Sequence, residues 1–209
     1  MKYILIHGLG QDSSSWNETI SLITKPFHAE SPDLYALLNG KKSTYSNLYQ
    51  SFSDYCETFS EPLNLCGISL GGVLALNYAV DKPDKIQSLV LIGTHYKMPK
   101  MLLKIQTVIF KIIPKSVFKK NGVEKQEFMK IFLELMDTML DLDFSESMKH
   151  IQCDTLVICG DKDVANKKAA QYLAQNIPKA KHQILKNTGH EVNAKNPKEL
   201  AAVLESFYN

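Results

Sequence analysis

The chain has 209 residues, a length that suits one domain with room for an inserted subdomain. Hydrophobic residues make up 44% and charged residues 22%, which supplies a sizeable core and excludes a disordered chain. The formal net charge of +2 is too close to balance for a nucleic-acid footprint, and all 24 basic residues are lysine, so arginine clamps on multiply anionic ligands are excluded.

Residues 2–7 form the first apolar run, too short for the core of a signal peptide and ended by His7-Gly8. It reads as a buried strand. Helical spacing follows over 15–24, with Ser13, Ser14 and Ser15 as capping residues and Trp16 as a packing anchor. A marginal strand lies at 27–31 and a helix at 46–58. Residues 62–80 carry no charge and match the length of a membrane span. Asn64, Gly67, Ser69, Gly71, Gly72 and Asn77 interrupt that run, which divides into a strand at 63–68, a tight turn and a helix at 71–81. No transmembrane segment is expected. A fourth apolar run at 86–92 reads as another strand.

The rhythm then breaks. Residues 95–150 contain no strand-like run but two apolar helical segments, around 101–113 and 124–142. Six of the seven methionines fall there, including Met101 and Met136. Its first half is basic and its second mainly acidic, so the two halves can pair, although each exposed pair is weak. The segment reads as a helical insertion whose methionines pack a core by default. A cap placed over a ligand site would turn some of them towards flexible apolar groups, and a basic face over 100–120 could instead touch a membrane surface. Strands resume at 155–159 and, more weakly, at 181–185, with helices at 165–177 and 197–208. Alternation of this kind predicts βαβ units, a mainly parallel sheet covered on both faces, and loops gathered at the strand C-termini.

Gly67-Ile68-Ser69-Leu70-Gly71 fits G-x-S-x-G between a strand and a helix. A nucleophile on so sharp a turn adopts strained backbone angles, and glycines two positions away relieve the crowding. The turn also sets the Ser69 hydroxyl near a helix N-terminus, which favours developing negative charge. A serine nucleophile needs a base, and the base an orienting acid. Cys159-Gly160-Asp161-Lys162-Asp163 offers acids past one strand, and Thr188-Gly189-His190 a base past the next. Each piece alone has a plainer reading, a helix cap or a structural histidine. Their order and common placement at strand ends carry the argument.

On these residues, together with His7-Gly8-Leu9-Gly10, the sequence resembles the α/β-hydrolase superfamily over nearly the whole chain. The resemblance implies a three-layer α/β/α sandwich. Ser69 would be the nucleophile, Asp163 the acid and His190 the base, with the Leu9 and Leu70 backbone N–H groups as the oxyanion hole. Asp163 is preferred because the family carries its acid last in G-x-x-D, which leaves Asp161 as a turn residue. The chain opens on the strand leading to His7-Gly8, so about six strands are expected rather than eight, without the first antiparallel ones. Residues 1–94 and 151–209 would form the core and 95–150 a short cap.

His7 is expected to brace the oxyanion loop, and His95 to be either a substrate contact or a cap-hinge residue. His95, Met101 and Met136 are the pocket candidates. No metal or organic cofactor is implied. The four cysteines form no C-x-x-C pair and read as small buried hydrophobes of a reducing cytosol, so a cytoplasmic location is expected. The expected partner is a small carboxylic ester with an apolar acyl group. Thioester, carbon–carbon bond hydrolysis, acyl transfer and lyase chemistry of the same fold are alternatives. A ligand-binding protein without turnover is a further one.

Overall fold

The computed structural model describes residues 1–25, 27–98 and 125–208. Six strands, β1 (Lys2–Ile6), β2 (Ala29–Glu30), β3 (Leu63–Ile68), β4 (Ile86–Ile92), β5 (Asp154–Gly160) and β6 (Ala180–Leu185), form one sheet in the order β2-β1-β3-β4-β5-β6. Every pairing is parallel. The inner strands β1, β3, β4 and β5 carry near-continuous apolar runs because both faces are buried.

The period-two alternation of strand side chains sorts these runs onto two cores. Ile4, Ile6, Leu65, Leu89, Leu91 and Val157 face one cluster, where they meet α2 (Leu34–Leu38), α3 (Tyr45–Glu57), α4 (Leu70–Asp81) and part of α6 (Lys167–Asn176). Leu5, Cys66, Ile68, Val90, Ile92 and Ile158 face the other, where they meet Trp16 and the C-terminal helix α8 (Pro197–Phe207). A 3-10 turn (Ser13–Trp16) leads into α1 (Asn17–Leu22), which lies on that second face, and the short α7 (Val192–Lys195) precedes α8. The result is the expected three-layer sandwich with a six-stranded parallel sheet.

Local chemistry explains the elements. Asp33 accepts from the backbone N–H groups of Tyr35 and Ala36 and so starts α2, a helix of five residues that the sequence reading leaves out. Asn39, in the left-handed region, ends it. Thr44 caps α3 through the Asn47 N–H, and the Tyr45 N–H donates to Thr138 Oγ1 of α5 (Lys125–Met139). The expected helix at 15–24 is therefore divided, with Asp12 capping the 3-10 turn that forms its first part.

Between β4 and β5 the chain leaves the sheet. Its neck is a short antiparallel pairing in which the Phe144 N–H donates to Tyr96 O and the Met98 N–H to Leu142 O. Lys97 and Asp143 add an exposed ion pair at 2.7 Å, one instance of the expected pairing between basic and acidic halves. Helix α5 matches the second expected helix of the insertion, and the first, at 101–113, lies outside the described residues. Leu135, Met136 and Met139 of α5 are buried in the same cluster as α3 and α4. No helix among the described residues is long and apolar enough to cross a membrane.

Leu91 is fully buried near the C-terminal end of β4, one of the two central strands. Leu91→Ala is expected to lower the unfolding free energy by about 3 kcal/mol, read as a lower denaturation midpoint in urea with an unchanged slope.

Candidate active site

All six strands run the same way, so the loops following β1, β3, β4, β5 and β6 open on one edge of the sheet. Every residue of the proposed constellation comes from those loops. Ser69 follows β3 and is the residue before α4, with φ 54° and ψ −115°. A non-glycine residue there costs on the order of 1–3 kcal/mol, so the surroundings must hold it. They do. Its N–H donates to Ile92 O of β4 at 2.9 Å, and its carbonyl accepts from the Val73 N–H of α4 at 3.0 Å. A side chain at Gly67 would lie 2.2 Å from the Gly71 carbonyl oxygen, and one at Gly71 would lie 2.3 Å from the Ile6 carbonyl oxygen. The turn can close only with glycine at both positions.

His190, in the loop after β6, presents Nδ1 to Asp163 Oδ2 at 2.8 Å. Asp163 is buried, whereas the His190 side chain keeps 40% of its exposure. Burial pushes the Asp163 carboxyl up, but hydrogen bonds from His190 and Asn166 and the attraction of His190 outweigh it and hold the group below the usual carboxylate range. Gly93, past β4, underlies the pair: a side chain there would sit 2.9 Å from the His190 ring and 3.3 Å from Asp163 Oδ2. Because Gly93 follows Ile92, the residue that receives the Ser69 N–H, the serine turn and the His190–Asp163 pair share one support. The Ser69 hydroxyl has no hydrogen bond to a described residue, so the structure joins the histidine to the acid directly and ties the serine turn to the neighbouring strand end through Ile92 O.

Asp161 does something else. Its Oδ1 accepts from the Thr188 N–H at 3.0 Å, and bonds from Asn187 and Thr188 lower its carboxyl, so it braces the turn leading to His190. Asp163 is thus the acid that meets His190, as the G-x-x-D resemblance implies.

Opposite Ser69 lies the loop after β1. A side chain at Gly8 would meet Ser69 Cβ at 3.4 Å. The Gly8 N–H is taken by Gln11 Oε1 and the Gly10 N–H by the Tyr35 hydroxyl, whereas the Leu9 N–H meets no described acceptor. Leu70 opens α4, where the first N–H groups have no partner within the helix. Among the described residues the two donors expected for an oxyanion are therefore both uncommitted.

His7 braces this loop from below. Its Nε2 accepts the Leu34 N–H at 3.0 Å, so the proton sits on Nδ1, which donates to Gly8 O at 2.9 Å. Gln11 and Asn193 exchange a reciprocal pair of amide bonds at 3.1 and 3.2 Å, tying the loop to α7 just beyond His190. Neither amide is singled out by the sequence reading, because nothing local relates residues 182 positions apart.

His95 stands on the same edge, half-buried near Asp163 and His190. Burial lowers its pKa, Asp163 opposes that and His190 reinforces it. Met136 is buried with Leu135 and Met139, and Met101 lies outside the described residues. Among the described residues no cluster of three or more His, Cys, Asp or Glu is placed to hold a metal ion.

The family model for the alpha/beta hydrolase family matches residues 3–203. The chain belongs to the alpha/beta hydrolase family. It is similar to the (E)-2-((N-methylformamido)methylene)succinate hydrolase of Acinetobacter baylyi, at 22% identity over 98% of this chain and 89% of that protein. It is also similar to a monoacylglycerol lipase of Homo sapiens, at 22% identity over 98% of this chain and 74% of the relative. Among solved structures, MenH from S. aureus superposes with a TM-score of 0.82 at 17% identity, over 99% of this chain and 92% of that one. Family membership and hydrolase relatives make this alpha/beta hydrolase an enzyme with hydrolase activity.

His7 provides a pH test of this hydrolase's loop. Burial lowers its folded pKa, only partly opposed by the Gly8 carbonyl and by Asp33 and Asp12. Between that lowered value and the usual imidazole value of about 6.5 the unfolded chain binds the extra proton, so stability falls as pH drops below that usual value. His95 and His182 shift the same way. His7→Asn is expected to lose less of its urea midpoint between neutral pH and mild acid than the wild-type protein does.

Proposed function

We propose that this enzyme hydrolyses a small carboxylic ester with an apolar acyl group, through Ser69, His190 and Asp163. The observation that carries the reading is the 2.8 Å contact of His190 Nδ1 with buried Asp163, on the support that pins Ser69 in its positive-φ turn. His190 Nε2 takes the Ser69 proton as Oγ attacks the carbonyl carbon, while Asp163 accepts the hydrogen bond of the Nδ1–H and stabilises the imidazolium. The Leu9 and Leu70 N–H groups receive the oxyanion. The alcohol departs with the proton from His190, leaving an acyl-serine that water, activated by the same histidine, hydrolyses.

Two features support the substrate class. With no arginine in the chain, recognition of several anionic groups would fall to lysines, while flexible methionines populate the insertion. In this reading residues 95–150 form a cap over the core of 1–94 and 151–209, and His95, Met101 and Met136 contribute to the acyl pocket. The similar human protein is a monoacylglycerol lipase, which is compatible with such esters.

A panel of esters and thioesters of graded acyl length, neutral and charged, tests both parts. Neutral esters are expected to outrun charged ones, and Ser69→Ala and His190→Ala to lose about 10⁴-fold or more of kcat. A fluorophosphonate probe should label the wild-type protein and not Ser69→Ala. Wild-type turnover in Ser69→Ala would overturn the mechanism, and equal rates on charged and neutral esters the substrate class. A thioester preference would move the reading to thioester hydrolysis.

A further inference from the structure

Asn166 precedes the first residue of α6 (Lys167–Asn176), where an asparagine ordinarily accepts a hydrogen bond from an N–H of the helix's first turn. It makes no such bond. Its side chain turns back, and Nδ2 lies 2.7 Å from Asp163 Oδ1, 2.9 Å from Asp163 Oδ2 and 3.1 Å from His190 Nδ1. The residue is only 6% exposed. A helix cap has been given up for a place between the acid and the base.

We propose that Asn166 is a positioning residue that fixes the carboxylate plane of Asp163 and, through it, the tautomer and orientation of His190. The inference rests on the Ser69–His190–Asp163 reading above. Its logic is one of donors and acceptors. An amide oxygen turned towards a carboxylate would repel it, so the NH2 group faces Asp163. A primary amide nitrogen has no free lone pair, so it cannot accept the His190 Nδ1 proton. That proton is therefore directed to Asp163 Oδ2, and Nε2 is left as the free base. No other described side chain donates to Asp163 Oδ1, so the Asn166 amide, with the Asn166 backbone N–H drawing on the same carboxylate, keeps it from rotating away from the imidazole.

Removing the donor has two separable consequences. The carboxylate becomes free to turn, which weakens alignment of the base without touching the substrate. Its charge is also no longer shared with an amide, so it binds the imidazolium more tightly. Asn166→Ala is expected to lose about tenfold or more in kcat, with KM little changed and the acid limb of the kcat/KM profile moved to higher pH. Asn166→Ser restores one donor, so it should recover part of kcat and part of the pH shift. Asn166→Asp keeps the shape but replaces donors by an acceptor, and should fall below Asn166→Ala.

A purely structural role would lower the melting temperature and leave kcat per folded molecule, and its pH profile, as in the wild-type protein. That outcome in Asn166→Ala would overturn the inference. Should Asn166→Ala fail to fold, the comparison of Asn166→Ser with Asn166→Asp decides the same question, because equal kcat and equal pH profiles in those two would overturn it. The imidazole Nδ1 proton resonance, followed by NMR in the Ser69→Ala background, gives a readout without turnover. Loss or exchange broadening of that resonance on adding the Asn166 substitution is the expected result, and an unchanged resonance overturns the inference even where Ser69 proves not to be the nucleophile.

Discussion

The site depends on a single backbone conformation. Ser69 sits at positive φ between a strand and a helix, and the molecule is arranged so that it cannot relax. Its N–H is bonded to β4 and its carbonyl to α4, while Gly71 lets the helix start press against the carbonyls of β1. Helix α4 is buried along almost its whole length, so any relaxation of the turn would disturb packing on both neighbouring strands. A strain of a few kcal/mol is sustainable at one residue because the cost of giving way is spread over a core.

A parallel sheet then supplies what the turn lacks. Successive strands deliver their loops to the same edge, but loops are individually soft, and here polar cross-links stiffen them. His7 fixes the loop after β1 to the start of α2. Gln11 and Asn193 join that loop to the region past His190. Asp161 holds the approach to His190, and Asn166 its acid. Each buried polar group in this set has a partner, which is the condition under which a polar network rigidifies a structure and does not weaken it.

The depth at which the sequence could be read follows from how local each determinant is. The buried strands at 2–7, 63–68, 86–92 and 155–159 are legible because burial on both faces leaves a run of apolar residues. Strand β6 is harder, since it lies at the sheet edge and its middle residues are exposed. The reading at 27–31 contracts to the two residues Ala29–Glu30. Helix α2 is too short for a period to show, although Asp33 ahead of Leu34 carries its start signal. Ser69, Asp163 and His190 stand out because each follows a strand. Asn166 does not, because an asparagine before a helix already has a sufficient explanation as a cap, and only the absence of the cap bond reveals otherwise.

The same helix also links the chemistry to the insertion. At its start lies Asn166, against Asp163 and His190, and further along Tyr172 stacks on Tyr96 at 4.2 Å between ring centroids. Tyr96 belongs to the neck, where its carbonyl receives the Phe144 N–H and its neighbour Lys97 pairs with Asp143. The residues that hold the acid and those that anchor the insertion therefore share a rigid element. Changes at the neck itself would reach the Asp163–His190 pair through α6.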